Sequence, residues 1–349
     1  MSRIKVLIVD DSAVVRQMLS KMLSEDDEIE VVGTAIDPIF AMQKIMKDPP
    51  DVITLDVEMP RMDGLTFLEK LMKAYSIPVV MVSAFTKQGC DTTLKALILG
   101  AVDFIEKPAR NTPEYLGVIK QEIIGKVKNA ARVNLKACRT GLSGVGTAAV
   151  SQQGKIERPV WNCASKVVAI GASTGGVAAV STIINSLRPD DYTIFITLHM
   201  PATFTRSFAE RLGSTGWSSS EAGNGQEAQP HHIYVAPGGR NMIVERRNGV
   251  LFTKIKECDK TDIYKPNVNK TFASMARAAG PEAIGVILTG MGDDGAQGLL
   301  MMKQAGALTI AQNKETSMVF GMPQKAIEAG AVDYTLALEQ IAGKIRQYI

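Results

Sequence analysis

Cysteine is scarce in this chain of 349 residues: there are four, Cys90, Cys138, Cys163 and Cys258. None forms a CxxC pair or a metal-ligand spacing. That argues against a disulfide framework or a thiolate metal site and fits free thiols in a reducing compartment. Histidine is scarcer still, with only His199, His231 and His232. The formal net charge is only +3, which gives no electrostatic case for nucleic acid as the main partner. No apolar run approaches the roughly 20 residues that span a bilayer. Met1-Ser2-Arg3-Ile4-Lys5 leads into a short apolar run broken by two aspartates, which fits a first strand and not a signal peptide. The expectation is a cytoplasmic protein without nucleic-acid binding or membrane insertion.

What is present is a strand–helix rhythm. Hydrophobic residues make 46% of the chain and charged residues 21%, enough for two buried cores. Over residues 1–130, helix-like stretches such as 64–74 separate apolar runs at 6–9, 31–35, 52–55, 79–83 and 104–106. Continuous apolar runs suit strands buried on both faces. The pattern predicts an α/β domain with a doubly wound, five-stranded parallel sheet. A helix expected over about 114–136 feeds a linker assigned to 131–163, where Ser143-Gly144-Val145-Gly146-Thr147 and Ser151-Gln152-Gln153-Gly154 are small and aperiodic. Alternation resumes over 164–349, with strand runs at 167–170, 193–198, 233–236, 283–288 and 308–311. Asn248-Gly249, between runs at 242–245 and 250–255, is a type I′ hairpin signal. The second domain is therefore expected to be doubly wound, mainly parallel α/β with a β-hairpin.

Parallel strands present their carboxyl ends at one edge, where ligands bind. Asp10-Asp11 and Asp56 end neighbouring strands, so three carboxylates should converge. Such a cluster repels itself unless a proton or a cation joins it, and oxygen-only ligands favour Mg²⁺. Ser83 ends the fourth strand and Lys107 the fifth, a hydroxyl and an ammonium that suit a phosphoryl group. Aspartate is itself a phosphoryl acceptor. Singly, Asp-Asp is a common helix cap and Lys107 a common surface residue, but all of them at successive strand ends is a stronger signal. Val9-Asp10-Asp11-Ser12, Leu55-Asp56-Val57-Glu58-Met59-Pro60, Val82-Ser83-Ala84 and Glu106-Lys107-Pro108 resemble the motifs of response-regulator receiver domains across the whole first domain. The resemblance implies that Asp56 is the acceptor. It also implies that Asp11, Asp56 and the Glu58 carbonyl bind Mg²⁺ with support from Asp10, and that Ser83 and Phe104 shift on activation. A histidine kinase is the implied phosphodonor.

In the second half, Gly171-Ala172-Ser173-Thr174-Gly175 fits G-x-S-x-G between a strand and a helix, which places a serine on a tight turn near helix N–H groups. A dinucleotide fingerprint would need glycine where Ser173 stands, and a phosphate loop would need a lysine. Ser173 as a mere helix cap is the plainer alternative. His199 ends a strand at the same edge, whereas His231 and His232 precede one and are expected at the opposite edge as surface or packing residues. Asp293 and Asp294 follow another strand and offer a carboxylate to orient His199. The order Ser, His, Asp differs from that of typical α/β-hydrolases.

Ala169-Ile170-Gly171-Ala172-Ser173-Thr174-Gly175-Gly176, His199-Met200-Pro201 and Leu288-Thr289-Gly290-Met291-Gly292 resemble the chemotaxis protein-glutamate methylesterases, the CheB family. Receiver, linker and esterase stand in that family's order. The resemblance implies Ser173 as nucleophile, His199 as base, Asp294 as orienter and the Met291 N–H at the oxyanion; the Met291 side chain is expected in the core. It implies a monomer that demethylates chemoreceptor glutamates, with glutamine deamidation as a second reaction and no cofactor for the esterase. The unphosphorylated receiver would rest against the esterase cleft. Two departures stand out: Asn241 where many members carry histidine, and Lys265-Pro266-Asn267-Val268-Asn269-Lys270 in a segment commonly resembling His-Arg-Pro-Ser-Val-Asp. Rival readings are a receiver with a binding output and an NAD-dependent domain. A DNA-binding output lacks a basic recognition helix.

Overall fold

The apolar runs of the first domain form β1 (Ile4–Val9), β2 (Ile29–Ala35), β3 (Val52–Asp56), β4 (Val79–Ser83) and β5 (Asp103–Glu106). The computed structural model describes residues 3–59, 62–83, 86–107, 113–133, 135, 166–189 and 192–348. Cys138, Cys163 and most of the expected linker lie outside these residues. Two compact units emerge, Met1–Leu135 and Lys136–Ile349.

In the first unit all strand pairs are parallel, in the order β2-β1-β3-β4-β5. β3 and β4 are buried along their whole length, which is why they read as unbroken apolar runs. The helices are α1 (Ala13–Ser24), α2 (Pro38–Lys47), α3 (Gly64–Ala74), α4 (Lys87–Ile98) and α5 (Pro113–Ala130). The side chains of Ser12, Asp37, Asp63 and Thr86 cap the first four by accepting from their first-turn amides. α5 ends six residues before the expected 136.

In the second unit the strands are β6 (Lys166–Ala172), β7 (Tyr192–Leu198), β8 (Ser218–Glu221), β9 (Gln226–Glu227), β10 (His232–Val235), β11 (Arg240–Arg247), β12 (Val250–Glu257), β13 (Ala283–Ile287), β14 (Leu308–Gln312) and β15 (Tyr334–Leu336). Seven form one parallel sheet ordered β15-β14-β13-β6-β7-β10-β8. The chain runs outward from β6 through β7 and returns to the other side of β6 at β13. The boundary between β6 and β13 is thus a topological switch point, the usual place for a ligand crevice. The helices are α6 (Gly176–Ser186), α7 (Ala202–Gly213), α8 (Val268–Ala279), α9 (Ala296–Gln304), α10 (Met322–Glu328) and α11 (Leu338–Gln347).

β11 and β12 form the expected hairpin, with Arg247 paired to Val250 and positive φ at Asn248 (49°) and Gly249 (85°), as a type I′ turn requires. β9 adds a third, antiparallel strand. The polar strand β8, Ser218-Ser219-Ser220-Glu221, escaped the sequence pattern because it lies at the sheet edge, where burial does not demand an apolar run. The core beneath this sheet includes Phe195, Val268, Phe272, Met275, Leu299 and Met322.

Candidate functional sites at two sheet edges

At the carboxyl edge of the first sheet, side-chain oxygens of Asp10, Asp11 and Asp56 lie within 4.8 Å of one another. Asp10 and Asp56 are buried, while Asp11 is exposed. Lys107 Nζ reaches Asp56 Oδ2 at 2.7 Å and Asp10 Oδ2 at 3.4 Å. That Asp10 oxygen is buried and accepts no hydrogen bond. The other, Oδ1, accepts from the Ser12 amide at 2.8 Å, and Asp56 Oδ1 from the Glu58 amide at 3.2 Å. Burial pushes the Asp56 carboxyl up to about 6, the Lys107 hydrogen bond opposes this, and the Asp10 charge adds to it. Asp10 is also raised, chiefly by burial. The Lys107 ammonium is held above its ordinary range, because the Asp56 hydrogen bond and charge outweigh burial. A buried, mutually repelling set of oxygens with one unsatisfied acceptor fits a hard cation. Ser83 is buried at the end of β4, and Phe104 is buried in β5.

At the carboxyl edge of the second sheet, Ser173 follows β6 and His199 follows β7, each one residue beyond the paired Ala172 and Leu198. The Ser173 amide donates to Thr289 O at 3.0 Å, which ties the serine turn to the segment after β13. Thr289 Oγ1 donates to Thr174 O at 3.0 Å, its amide donates to Gln312 Oε1 at 2.8 Å, and its hydroxyl accepts from the Val319 amide at 2.9 Å. Gly175 has a φ of 77°, and a Cβ there would lie 2.8 Å from the Met318 Cβ, so the turn needs glycine both for conformation and for space. Ser173 does not cap α6: Gly175 holds the cap position, and no side-chain cap hydrogen bond forms there. The Ser173 hydroxyl has no hydrogen-bond partner among the described residues.

His199 Nε2 lies 2.8 Å from Asp294 Oδ2. Asp294 is buried and accepts two further hydrogen bonds, from the Val268 amide at 2.7 Å and the Asn269 amide at 2.9 Å. Both amides belong to the first turn of α8, so the helix N-terminus stabilises the carboxylate's negative charge. The neighbouring Asp293 is exposed. His232 begins β10 at the opposite edge; it meets Ser220 Oγ at 2.8 Å and packs on Tyr234 with centroids 4.3 Å apart, and burial lowers its pKa. The Met291 side chain is not in the core: it is 47% exposed. Gly290 and Gly292 flank it, and the Gly290 carbonyl accepts from the Gly321 and Met322 amides, which pins the backbone and turns the side chain outward.

Two stretches of the chain match known families. The response regulator receiver domain family matches residues 6–115, and the CheB methylesterase family matches residues 168–345. A protein-glutamate methylesterase/protein-glutamine glutaminase from Xanthomonas campestris pv. campestris is 45% identical over 346 residues, 98% of this chain and 96% of that protein. The chain belongs to the CheB methylesterase family. A second relative of the same name, from Hahella chejuensis, is 44% identical over 348 residues, 97% of this chain and 95% of that protein. The crystal structure of the Thermotoga maritima CheB methylesterase catalytic domain aligns with a TM-score of 0.51 and 38% identity, covering 53% of this chain and 99% of that one.

Three features of this CheB-family site went unassigned in the sequence. Thr289 stands in a quoted motif but shows its role only through its bonds to the serine turn. Asn241 is buried and bridges Asp262 and Asn267. Tyr264 lies flat on His199 with ring centroids 4.5 Å apart; a half-buried tyrosine in a loop carries no periodic signal.

Proposed function

We propose that this chain is a phosphorylation-activated serine esterase that hydrolyses methyl esters of chemoreceptor glutamates and also deamidates receptor glutamines. The observation that carries the reading is the His199–Asp294 pair, anchored on α8 at the strand end adjacent to Ser173. With Nε2 engaged by Asp294, Nδ1 is the nitrogen left to take the Ser173 proton as the hydroxyl attacks the ester carbonyl. Asp294 holds the tautomer and stabilises the imidazolium. N–H groups at the start of α6, whose cap residue Gly175 offers no side chain, and that of Met291 hold the oxyanion, at about 3 kcal/mol for each donor. His199 returns the proton to the departing methanol, and water then hydrolyses the acyl-enzyme to glutamate. At a glutamine the same steps release ammonia.

In the receiver, Asp56 accepts the phosphoryl group from a histidine kinase. The Asp11 and Asp56 carboxylates and the Glu58 carbonyl would hold Mg²⁺, with Asp10 in support; bound there, it would supply positive charge against the carboxylates and the phosphoryl oxygens. Lys107 balances the remaining charge, and Ser83 donates to a phosphoryl oxygen. We assign the receiver to 1–130, the linker to 131–163 and the esterase to 164–349, and place the protein in the cytoplasm as a monomer. Phosphorylation at Asp56 activates the esterase, and a shift from a mostly inactive to a mostly active population needs several kcal/mol of differential stability.

Methanol release from methylated receptor membranes tests the whole reading, using wild type, Ser173→Ala and Asp56→Ala with and without acetyl phosphate and Mg²⁺. Release should require Ser173 and rise with acetyl phosphate only when Asp56 is present. No release from activated wild type would overturn it.

A further inference from the structure

Tyr264 stands in a strap that one buried side chain pins on both sides. Asn241 Nδ2 donates to Asp262 Oδ2 at 2.9 Å, and Asn241 Oδ1 accepts from the Asn267 amide at 3.0 Å. The pins are reinforced. Asp262 Oδ2 also accepts from Lys270 Nζ at 2.7 Å and from the Asp259 amide at 2.9 Å. Asn267 caps α8 by accepting from the Lys270 amide at 2.9 Å. The clamp thus joins the strap to the same helix N-terminus that holds Asp294.

Between the two pins the phenol ring covers the imidazole of His199, with centroids 4.5 Å apart and planes within 9° of parallel. Its hydroxyl lies hard against the loop after β13: a Cβ on Gly292 would come within 2.1 Å of the oxygen. Gly292 also has a φ of 88°, so both space and conformation exclude a side chain there. One tyrosine therefore touches the imidazole by its face and, at its tip, the loop that carries the Met291 amide.

A hydrogen bond from one ring nitrogen fixes a point on an imidazole but leaves the ring free to swing about it. A flat neighbour in contact fixes the plane. The π-face also favours the imidazolium that forms in the transition state. Burial, with the charges of Asp293 and Asp294, keeps the phenol pKa above its ordinary value, so the ring over His199 stays neutral.

We propose that Tyr264 is a positioning residue: held by the Asn241 clamp, it sets the plane of His199 so that the nitrogen opposite Asp294 faces Ser173. Asn241 is the structural partner of this arrangement, because it supplies both a donor and an acceptor, one to each end of the strap. The proposal rests on His199 acting as the base of the esterase.

The test compares full-length wild type, Tyr264→Phe and Tyr264→Leu by two readouts. In receptor demethylation, Tyr264→Leu should lower kcat by roughly 10- to 100-fold with KM changed less than about 3-fold, since misplacement of a base by an ångström costs on that order. Tyr264→Phe, which keeps the flat face, should stay within about 3-fold of wild type. The second readout is ¹⁵N NMR of the imidazoles, of which there are three. His199 should show one Nε2–H tautomer in wild type and Tyr264→Phe, and an averaged mixture in Tyr264→Leu. Wild-type kcat in Tyr264→Leu, a change confined to KM, or an unaltered His199 tautomer in that variant would overturn the proposal. If wild type released no methanol at all, the esterase reading would fail while the tautomer measurement still decided the role of Tyr264.

Discussion

The two sheet edges use the same geometry and opposite electrostatics. In the receiver, α1 to α4 each begin with a side-chain cap, so the first-turn amides are satisfied locally and the charged edge is left to the carboxylates. Those carboxylates are crowded, and burial pushes two of them toward protonation. In the esterase unit, α6, α7 and α9 begin at Gly175, Pro201 and Gly295 without any side-chain cap. The carboxylate there, Asp294, already has three donors. The receiver edge holds buried, mutually repelling carboxylates with one unsatisfied oxygen on Asp10, an arrangement that a cation would stabilise and that suits a switch. The esterase edge is organised before any substrate arrives, which suits catalysis.

Four changes sharpen or break that contrast. The largest effect belongs to Ser173→Ala, which should lower kcat by on the order of 10⁴-fold or more. It should leave the melting temperature almost unmoved, since the hydroxyl makes no hydrogen bond among the described residues; a large loss of stability would show Ser173 to be structural. Asp294→Ala should cost activity on the order of 10³- to 10⁴-fold. It should also cost ~3 kcal/mol of stability, because the Val268 and Asn269 amides lose their acceptor. Denaturant unfolding checks this, and an unchanged midpoint would mean that the edge is not preorganised through Asp294.

Asp56→Asn should act in the opposite direction. Its carboxyl titrates at about 6 in the fold against 3.8 for a free aspartate. The contribution of this one carboxyl to stability is therefore fully present below pH 4, is lost as pH rises through 6, and stays lost above it. The gap corresponds to ~3 kcal/mol. Without Mg²⁺ at pH 8 the variant should melt higher than wild type, with the difference fading toward pH 4 and shrinking when Mg²⁺ is added. A variant that melts lower at pH 8 would show the cluster to be satisfied without a ligand. The smallest effect is that of Gly249→Ala in the hairpin, about 1 kcal/mol, since alanine must adopt a φ of 85°.

Much of this was legible along the chain. The runs ending in Asp10, Asp56 and Ser83 are largely buried strands, and burial on both faces favours an apolar run; β5, before Lys107, is an edge strand in which only Phe104 and Ile105 are buried. Asn248-Gly249 dictated its own turn. Ser173, His199 and Asp294 could be nominated because each follows such a run. The edge strand β8 was not legible, because a polar segment is paired only when its neighbours place it there. The Met291 side chain was misjudged as core because an apolar residue between glycines has no periodicity to show which way it faces.

The central buried strands of both parallel sheets, and the residues that arrive at their carboxyl ends, follow from the amino-acid sequence alone, because strand period and helix caps are local properties. Only the tertiary structure decided which ring nitrogen of His199 meets Asp294, that α8 supplies that carboxylate with amides, and that Asn241 holds Tyr264 against the imidazole. These contacts join residues 21 to 95 positions apart, and their geometry exists only once the strands have paired and α8 has packed.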